Sequence, residues 1–238
     1  MRWLIAAYQP VGLFSLKHGE ATSTGGKSLL VPTPFAIRTA LLDAAIRVKG
    51  VDYGPQAFEY ISSLYLAVRP PEWVVVTNLF AKVLKPERDS ERGRAMQQTI
   101  AFREYVYLGG TLELAAGGKP PALEAVASLV PHVTSFGKRG SLFQLMEPPQ
   151  MTDELPDGFT ALDGVYVKGN RVKGNLPPAF ASGLIQMMDD WGESLTFSKI
   201  NIYSNEKIDL GSDRIRKGVI LPYRLVRSGK GFTQYQRI

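Results

Sequence analysis

The stretch "ATSTGGKSLLVPTPFAIRTALLDAAI" (residues 21–46) decides the fold, because its start satisfies the looser form of a phosphate-binding loop: Ala21, four residues, then Gly26, Lys27 and Ser28. In such a loop the Lys and Ser open a helix, so that backbone N–H groups and the helix dipole converge on the phosphates. Here "LLVPTP" intervenes, and Pro32 and Pro34 disfavour helix at the residues before them. The helix therefore starts with Thr33 as its cap and Pro34 in its first turn. No later strand ends in the apolar run plus Asp that would hold magnesium. The stretch reads as a Gly, Ser and Thr loop carrying Lys27 between a strand and a helix, not as an ATP site. Lys27 either touches a backbone phosphate or faces water.

Working outward, a chain of 238 residues that is 45% hydrophobic buries a real core, as one large domain or two small ones. No stretch approaches the eighteen or more apolar residues of a membrane span, and the apolar start "MRWLIAAYQPVG" is broken too soon by Pro10 for a signal peptide. The expectation is a cytoplasmic protein without a membrane partner. With no cysteine and only His18 and His132 as imidazoles, no metal site and no cofactor are expected. Charge is uneven: residues 1–198 hold 19 Lys and Arg against 19 Asp and Glu, and residues 199–238 hold 9 against 3. The formal charge of +6 thus arises in the last forty residues. Clustered cations favour a polyanion such as nucleic acid, because they release its condensed counterions; a solvated basic surface is the alternative.

The pattern along the chain places the motifs. "RWLIAAY" (2–8) reads as a buried strand, and "FAIRTALLDAAIRV" (35–48) as a helix burying Ile37, Ala40, Leu41, Ala44, Ala45 and Val48. A second helix is expected over 55–68, closed by Pro70 and Pro71, then strands over 72–84 and 99–115 flanking the charged stretch 85–98. A short helix over 120–130 and a strand over 139–147 follow. Strand, helix, strand, strand, helix, strand is the ferredoxin-like, split-βαβ order. Beyond the acidic, Pro-rich connector 147–158 come strand-like pieces around turns, including a hairpin or loop at "KGNRVKGN" (168–175). The fold class is α+β: a ferredoxin-like domain over 1–147 and a smaller, mostly β subdomain over 148–238.

Three segments, "LVPTPFAIRTALLDAAI" (30–46), "REYVYLGGTLELA" (103–115) and "VPHVTSFGKRGSLFQL" (130–145), resemble in order and spacing the Cas-five family of CRISPR-associated proteins, within the RAMP superfamily of RRM-like folds. The resemblance covers residues 1–147. It implies a structural subunit, not an enzyme, that holds the 5′ handle of crRNA in a type I Cascade complex. The implied partners are the crRNA, the backbone subunit, the large subunit and, through the complex, target DNA. It also implies a projecting thumb at about 82–98; there Lys82, Lys85, Arg88, Arg92 and Arg94 would track phosphates and Met96 would wedge beside an unstacked base, the alternative being a solvated surface loop with alternating charges.

Other candidates follow from local pattern. Arg103 and Tyr105 alternate on one strand and so share a face, where a guanidinium and a phenol clamp a nucleotide or simply pair within the protein. In "GKRGS" two glycines bring backbone N–H groups together with Lys138 and Arg139, and Ser141 completes the turn, a nest suited to a handle phosphate. The tail "YRLVRSGKGFTQYQR" (223–237) interleaves cations and aromatics, suiting either backbone contact with stacking or a hairpin with a basic outer face. A rival reading is a metal-independent endoribonuclease that processes precursor crRNA, with Lys17, His18 and Tyr8 as its acid–base groups.

Overall fold

The computed structural model describes residues 1–19, 21, 25–86, 96–138, 140–162, 166–168, 171–173 and 182–238. Strand β1 (Arg2–Pro10) leads to helix α1 (Pro34–Lys49), helix α2 (Gly54–Ser62), β2 (Tyr65–Arg69), β3 (Trp73–Pro86), β4 (Met96–Leu108), β5 (Leu112–Gly118), helix α3 (Pro120–Leu129), β6 (Phe143–Leu145) and β7 (Gln150–Thr152). The hairpins β8 (Leu184–Trp191) with β9 (Arg214–Leu221) and β10 (Tyr223–Gly229) with β11 (Phe232–Arg237) complete the chain. This is a mixed α+β protein in which strands predominate.

In the first sheet β1 is central, flanked on one side by β5 and then β2, and on the other by β6 and β7, with every pair antiparallel. Apolar alternation along β1 sends Leu4, Ala6 and Tyr8 inward, where Ile37 and Leu41 of α1 and Val126 of α3 are also fully buried. Tyr8 meets Phe136 edge-on at 5.2 Å, and Phe136 meets Phe143 at 5.1 Å. Helix α1 starts as its sequence dictates: the Thr33 side chain accepts the Ala36 N–H at 3.1 Å, and Pro34 occupies the first turn.

The second sheet runs β10–β11–β3–β4, with Gly25–Gly26 on the far edge of β4. Its spine is the long hairpin β3–β4, paired from Val74↔Leu108 out to Pro86↔Met96. Residues 232–236 of β11 pair with 73–77 of β3, so the basic tail is the sheet's outer hairpin.

Several expectations are corrected. The span 55–68 is not one helix: α2 stops at Ser62, and "YLAVR" (65–69) is a strand whose Leu66, Ala67 and Val68 are buried. The strands at 72–84 and 99–115 are consequently not the second and third strands of the first sheet in chain order, which are β2 and β5. The first and the beginning of the second form the long hairpin, and Gly109 and Gly110, the latter at φ 156°, divide β4 from β5. Lys82–Pro86 and the chain from Met96, within the stretch where a thumb is expected, are the outer strand segments of this hairpin, and 87–95 lie outside the described residues. The strand expected at 139–147 is only Phe143–Leu145. On α1, Val48 is exposed, while Arg38 and Leu42 are buried. The segment expected as a hairpin or loop at 168–175 lies partly outside the described residues; Tyr166–Lys168 pairs antiparallel with Arg171–Lys173.

Candidate nucleic-acid interface

The phosphate-loop look-alike folds as edge strands. Gly25–Gly26 pair in parallel with Phe102–Arg103, and Ser28–Leu29 pair antiparallel with Leu16–Lys17. The Ser28 hydroxyl accepts the Leu16 N–H at 2.9 Å and donates to the Leu29 carbonyl at 3.0 Å, and the Ser28 N–H donates to Glu104 Oε2 at 2.8 Å. Ser28 is therefore fully engaged inside the protein, and α1 begins only at Pro34. Lys27, between them, accepts the His18 N–H at its carbonyl (2.9 Å) and exposes its side chain. A Cβ on Gly26 would come within 3.0 Å of the Arg103 guanidinium, so Arg103 lies across this glycine.

Beside Lys17 opens a cleft of about 540 Å³ between the first turns of α1, the 135–138 turn and β9. Apolar lining from Leu16, Leu29, Phe35 and Ala36 is combined with the charges of Lys17, Lys138, Arg214, Asp43 and Asp189. The acids are matched: Asp189 accepts from Arg214 Nε at 3.0 Å, and Asp43 pairs with Arg47 at 2.8 Å. The Arg214 guanidinium also lies 4.6 Å from the centre of the Phe35 ring. Lys17 and Lys138 have no carboxylate partner among the described residues, and both are exposed. Two unneutralised ammonium groups beside an apolar floor suit a phosphate with its sugar or base.

The turn bearing Lys138 is built by glycine. Gly137 (φ 70°) and Gly140 (φ 97°) take left-handed conformations, the Ser141 N–H donates to the Lys138 carbonyl at 3.1 Å, and Ser135 bridges Leu142. Ser141 itself, expected at the RNA, is buried with its hydroxyl directed at the Ser15 carbonyl (3.4 Å), which makes it a turn residue.

Lys17, Lys27, Arg103 and Lys138 thus come together, through the pairings Lys17↔Ser28 and Gly26↔Arg103, as a track from the sheet to the cleft. Register puts Arg103, Tyr105 and Lys85 on one face of the long hairpin, and Lys82 and Met96 on the other with Phe80 and Phe102. Arg88, Arg92, Arg94 and Arg139 lie outside the described residues. Tyr8 does not join Lys17 and His18: it is buried, its hydroxyl donates to the Val130 carbonyl at 2.9 Å, and burial pushes its pKa up. Arg214 and Tyr107 are additions to the expected set. The alternation in "REYVY" already puts Tyr107 beside Arg103 and Tyr105, whereas nothing near Arg214 in sequence points to the cleft. Among the described residues no cluster of metal-ligating side chains occurs, and no helix is long and apolar enough to cross a membrane.

No family model matches the chain. A curated relative, CRISPR-associated protein Cas5 of Archaeoglobus fulgidus, is 26% identical over 118 residues, covering 49% of this chain and 52% of the relative. The chain spans about half the length of the curated relative it matches. That relative bears the name of the family that the three segments resemble. Similar solved structures include a CRISPR protein from Archaeoglobus fulgidus (12% identity, TM-score 0.46, covering 100% of this chain and 92% of that one). Others are a chain of a CRISPR RNA-guided surveillance complex (13%, TM-score 0.40, 92% and 90%) and an RAMP protein binding different RNA substrates (12%, TM-score 0.37, 100% and 89%). At these TM-scores the likeness adds nothing to the strand order described above.

Proposed function

We propose that this chain is a Cas-five-type, RNA-binding structural subunit of a type I Cascade complex in a prokaryotic cytoplasm. It holds the 5′ handle of crRNA, caps the array of backbone subunits and contacts the large subunit, reaching target DNA only through the complex. The observation that carries the reading is the track of Arg103, Lys27, Lys17 and Lys138, whose two cleft lysines lack acidic partners among the described residues. Such cations bind a phosphodiester by releasing its counterions, and the apolar lining accepts the attached nucleoside. The Cas5 relative supports the family.

The order β6–β1–β5–β2, with all neighbours antiparallel, supports a ferredoxin-like reading of residues 1–147, with the β3–β4 hairpin as the thumb. Residues 148–238 are then a β-rich second subdomain whose last hairpin pairs with the base of that thumb. No reaction is assigned. The endoribonuclease alternative loses Tyr8 to the core, and adjacent Lys17 and His18 point to opposite sides of an extended segment.

The test is to purify the tagged chain from its native cell and sequence the bound RNA. The reading expects crRNA enriched with its 5′ handle protected from nuclease. Bound RNA with no such enrichment contradicts it.

A further inference from the structure

We infer that the outer face of the second sheet, completed by the C-terminal hairpin, is a base-stacking platform for a single nucleic-acid strand. This rests on the RNA-binding reading for the class of ligand and goes beyond it in the surface used, which is not the lysine cleft.

The register sorts the side chains. Val74, Val76, Val106 and Leu108 point to the core and are buried, so their neighbours at 75, 77, 105 and 107 point outward. On that outward face Tyr105 stands opposite Thr77, and Thr77 opposite Phe232; one row further, Tyr107 stands opposite Val75, and Val75 opposite Gln234. Tyr107 is 55% exposed, and neither Tyr105 nor Phe232 packs against the core cluster. Tyr105 and Tyr107 are about 7 Å apart along one strand, and Phe232 lies about 10 Å from Tyr105 across two strand spacings.

The charges point the same way. Arg103 extends the tyrosine row, and the Arg227 guanidinium lies 5.7 Å from the centre of the Phe232 ring. Glu104 is the single carboxylate in β3, β4, β10 and β11, and the pairing Asn78↔Glu104 puts it on the opposite face. A face offering aromatic rings two residues apart, guanidinium groups beside them and amide or hydroxyl groups between them repels no phosphate. It lets unstacked bases lie on the rings. A protein partner is the less suited occupant, because the exposed apolar residues Phe80, Leu84, Ile100 and Phe102 lie on the hairpin's other face and Leu79, opposite Arg103, is the single exposed aliphatic residue of β3 and β4 on the tyrosine face.

The test uses the full chain and a ten-nucleotide single-stranded RNA of non-handle sequence carrying 2-aminopurine, whose fluorescence is quenched on stacking. The native protein is expected to bind and quench it. Tyr105→Ala with Tyr107→Ala is expected to weaken binding about tenfold or more and abolish quenching. Tyr105→Phe with Tyr107→Phe, which keeps both rings, is expected to retain both and so separates stacking from misfolding. A native protein that does not quench the probe, an alanine pair that quenches as the native does, or a phenylalanine pair that fails with the alanine pair overturns the inference. Preference for handle RNA over a scrambled RNA is measured separately. Its absence defeats the handle reading without touching the quenching result.

Discussion

The guanidinium of Arg38 and the carboxylate of Asp190, 152 residues apart, form a buried ion pair at 2.9 Å, with side chains 6% and 3% exposed. Arg38 also donates to the carbonyls of Ile61 and Leu64, closing the end of α2, and Lys217 holds the second Asp190 oxygen at 2.9 Å. One arginine thus ties α1, the end of α2 and the β8–β9 hairpin, and the cleft forms along that seam. Asp190→Ala would strand a buried guanidinium, which costs about 3–5 kcal/mol. Urea denaturation of the variant should show that loss, and a change below about 1 kcal/mol would remove the pair from the account.

Asp213 gives a pH dependence. Its carboxylate is held below the usual range by the hydrogen bond from Lys199, then by the Asp209 N–H, with burial opposing and the Ser194 hydroxyl adding to the lowering. A lowered carboxylate pKa contributes stability above its unfolded value and loses it as pH falls through the folded one. The stability difference between the native protein and Asp213→Asn, followed by thermal melting from pH 7 down to 3, should therefore shrink in acid. A difference independent of pH contradicts this.

The look-alike motif should not bind nucleotide. With the Ser28 hydroxyl and N–H both engaged and α1 starting at Pro34, equilibrium dialysis against labelled ATP and magnesium is expected to show no saturable binding. Saturable binding lost in Lys27→Ala would reverse that conclusion.

Tyr8 should matter to stability alone. Tyr8→Phe removes one buried hydrogen bond to the Val130 carbonyl, which still accepts the Val133 N–H at 3.1 Å, a cost of about 0.5–1.5 kcal/mol. Repeat RNA incubated in EDTA with the native protein is expected to stay intact. Site-specific cleavage abolished by His18→Ala would establish the endoribonuclease.

What the sequence discloses is what is decided locally. The "VPTP" start of α1 is read correctly because a threonine cap and a first-turn proline act within four residues. The turn at Lys138 is likewise marked by its own glycines. "SSLYLAV" is misread because Leu64, Leu66 and Val68 fit a strand while the preceding helix has no proline to stop it. The middle strands are then assigned to the wrong segments, since the hairpin inserted between β2 and β5 carries stronger β-branched runs than either. The rest depends on contacts far apart in the chain. Nothing local to Arg38 announces Asp190, Lys17 enters the cleft only through its pairing with Ser28, and Phe232 meets the row of Tyr105 only because β11 pairs with β3.

The most direct test of the central claim, that RNA phosphate lies on the cleft lysines, is a salt series of binding to a handle RNA by the native protein and by Lys17→Ala with Lys138→Ala, with circular dichroism to verify folding. If both lysines contact phosphate, the variant binds more weakly and its slope of log affinity against log salt falls by about 1.4 units, roughly 0.7 for each contact on a single strand. A folded variant whose affinity and slope equal those of the native protein would contradict the claim.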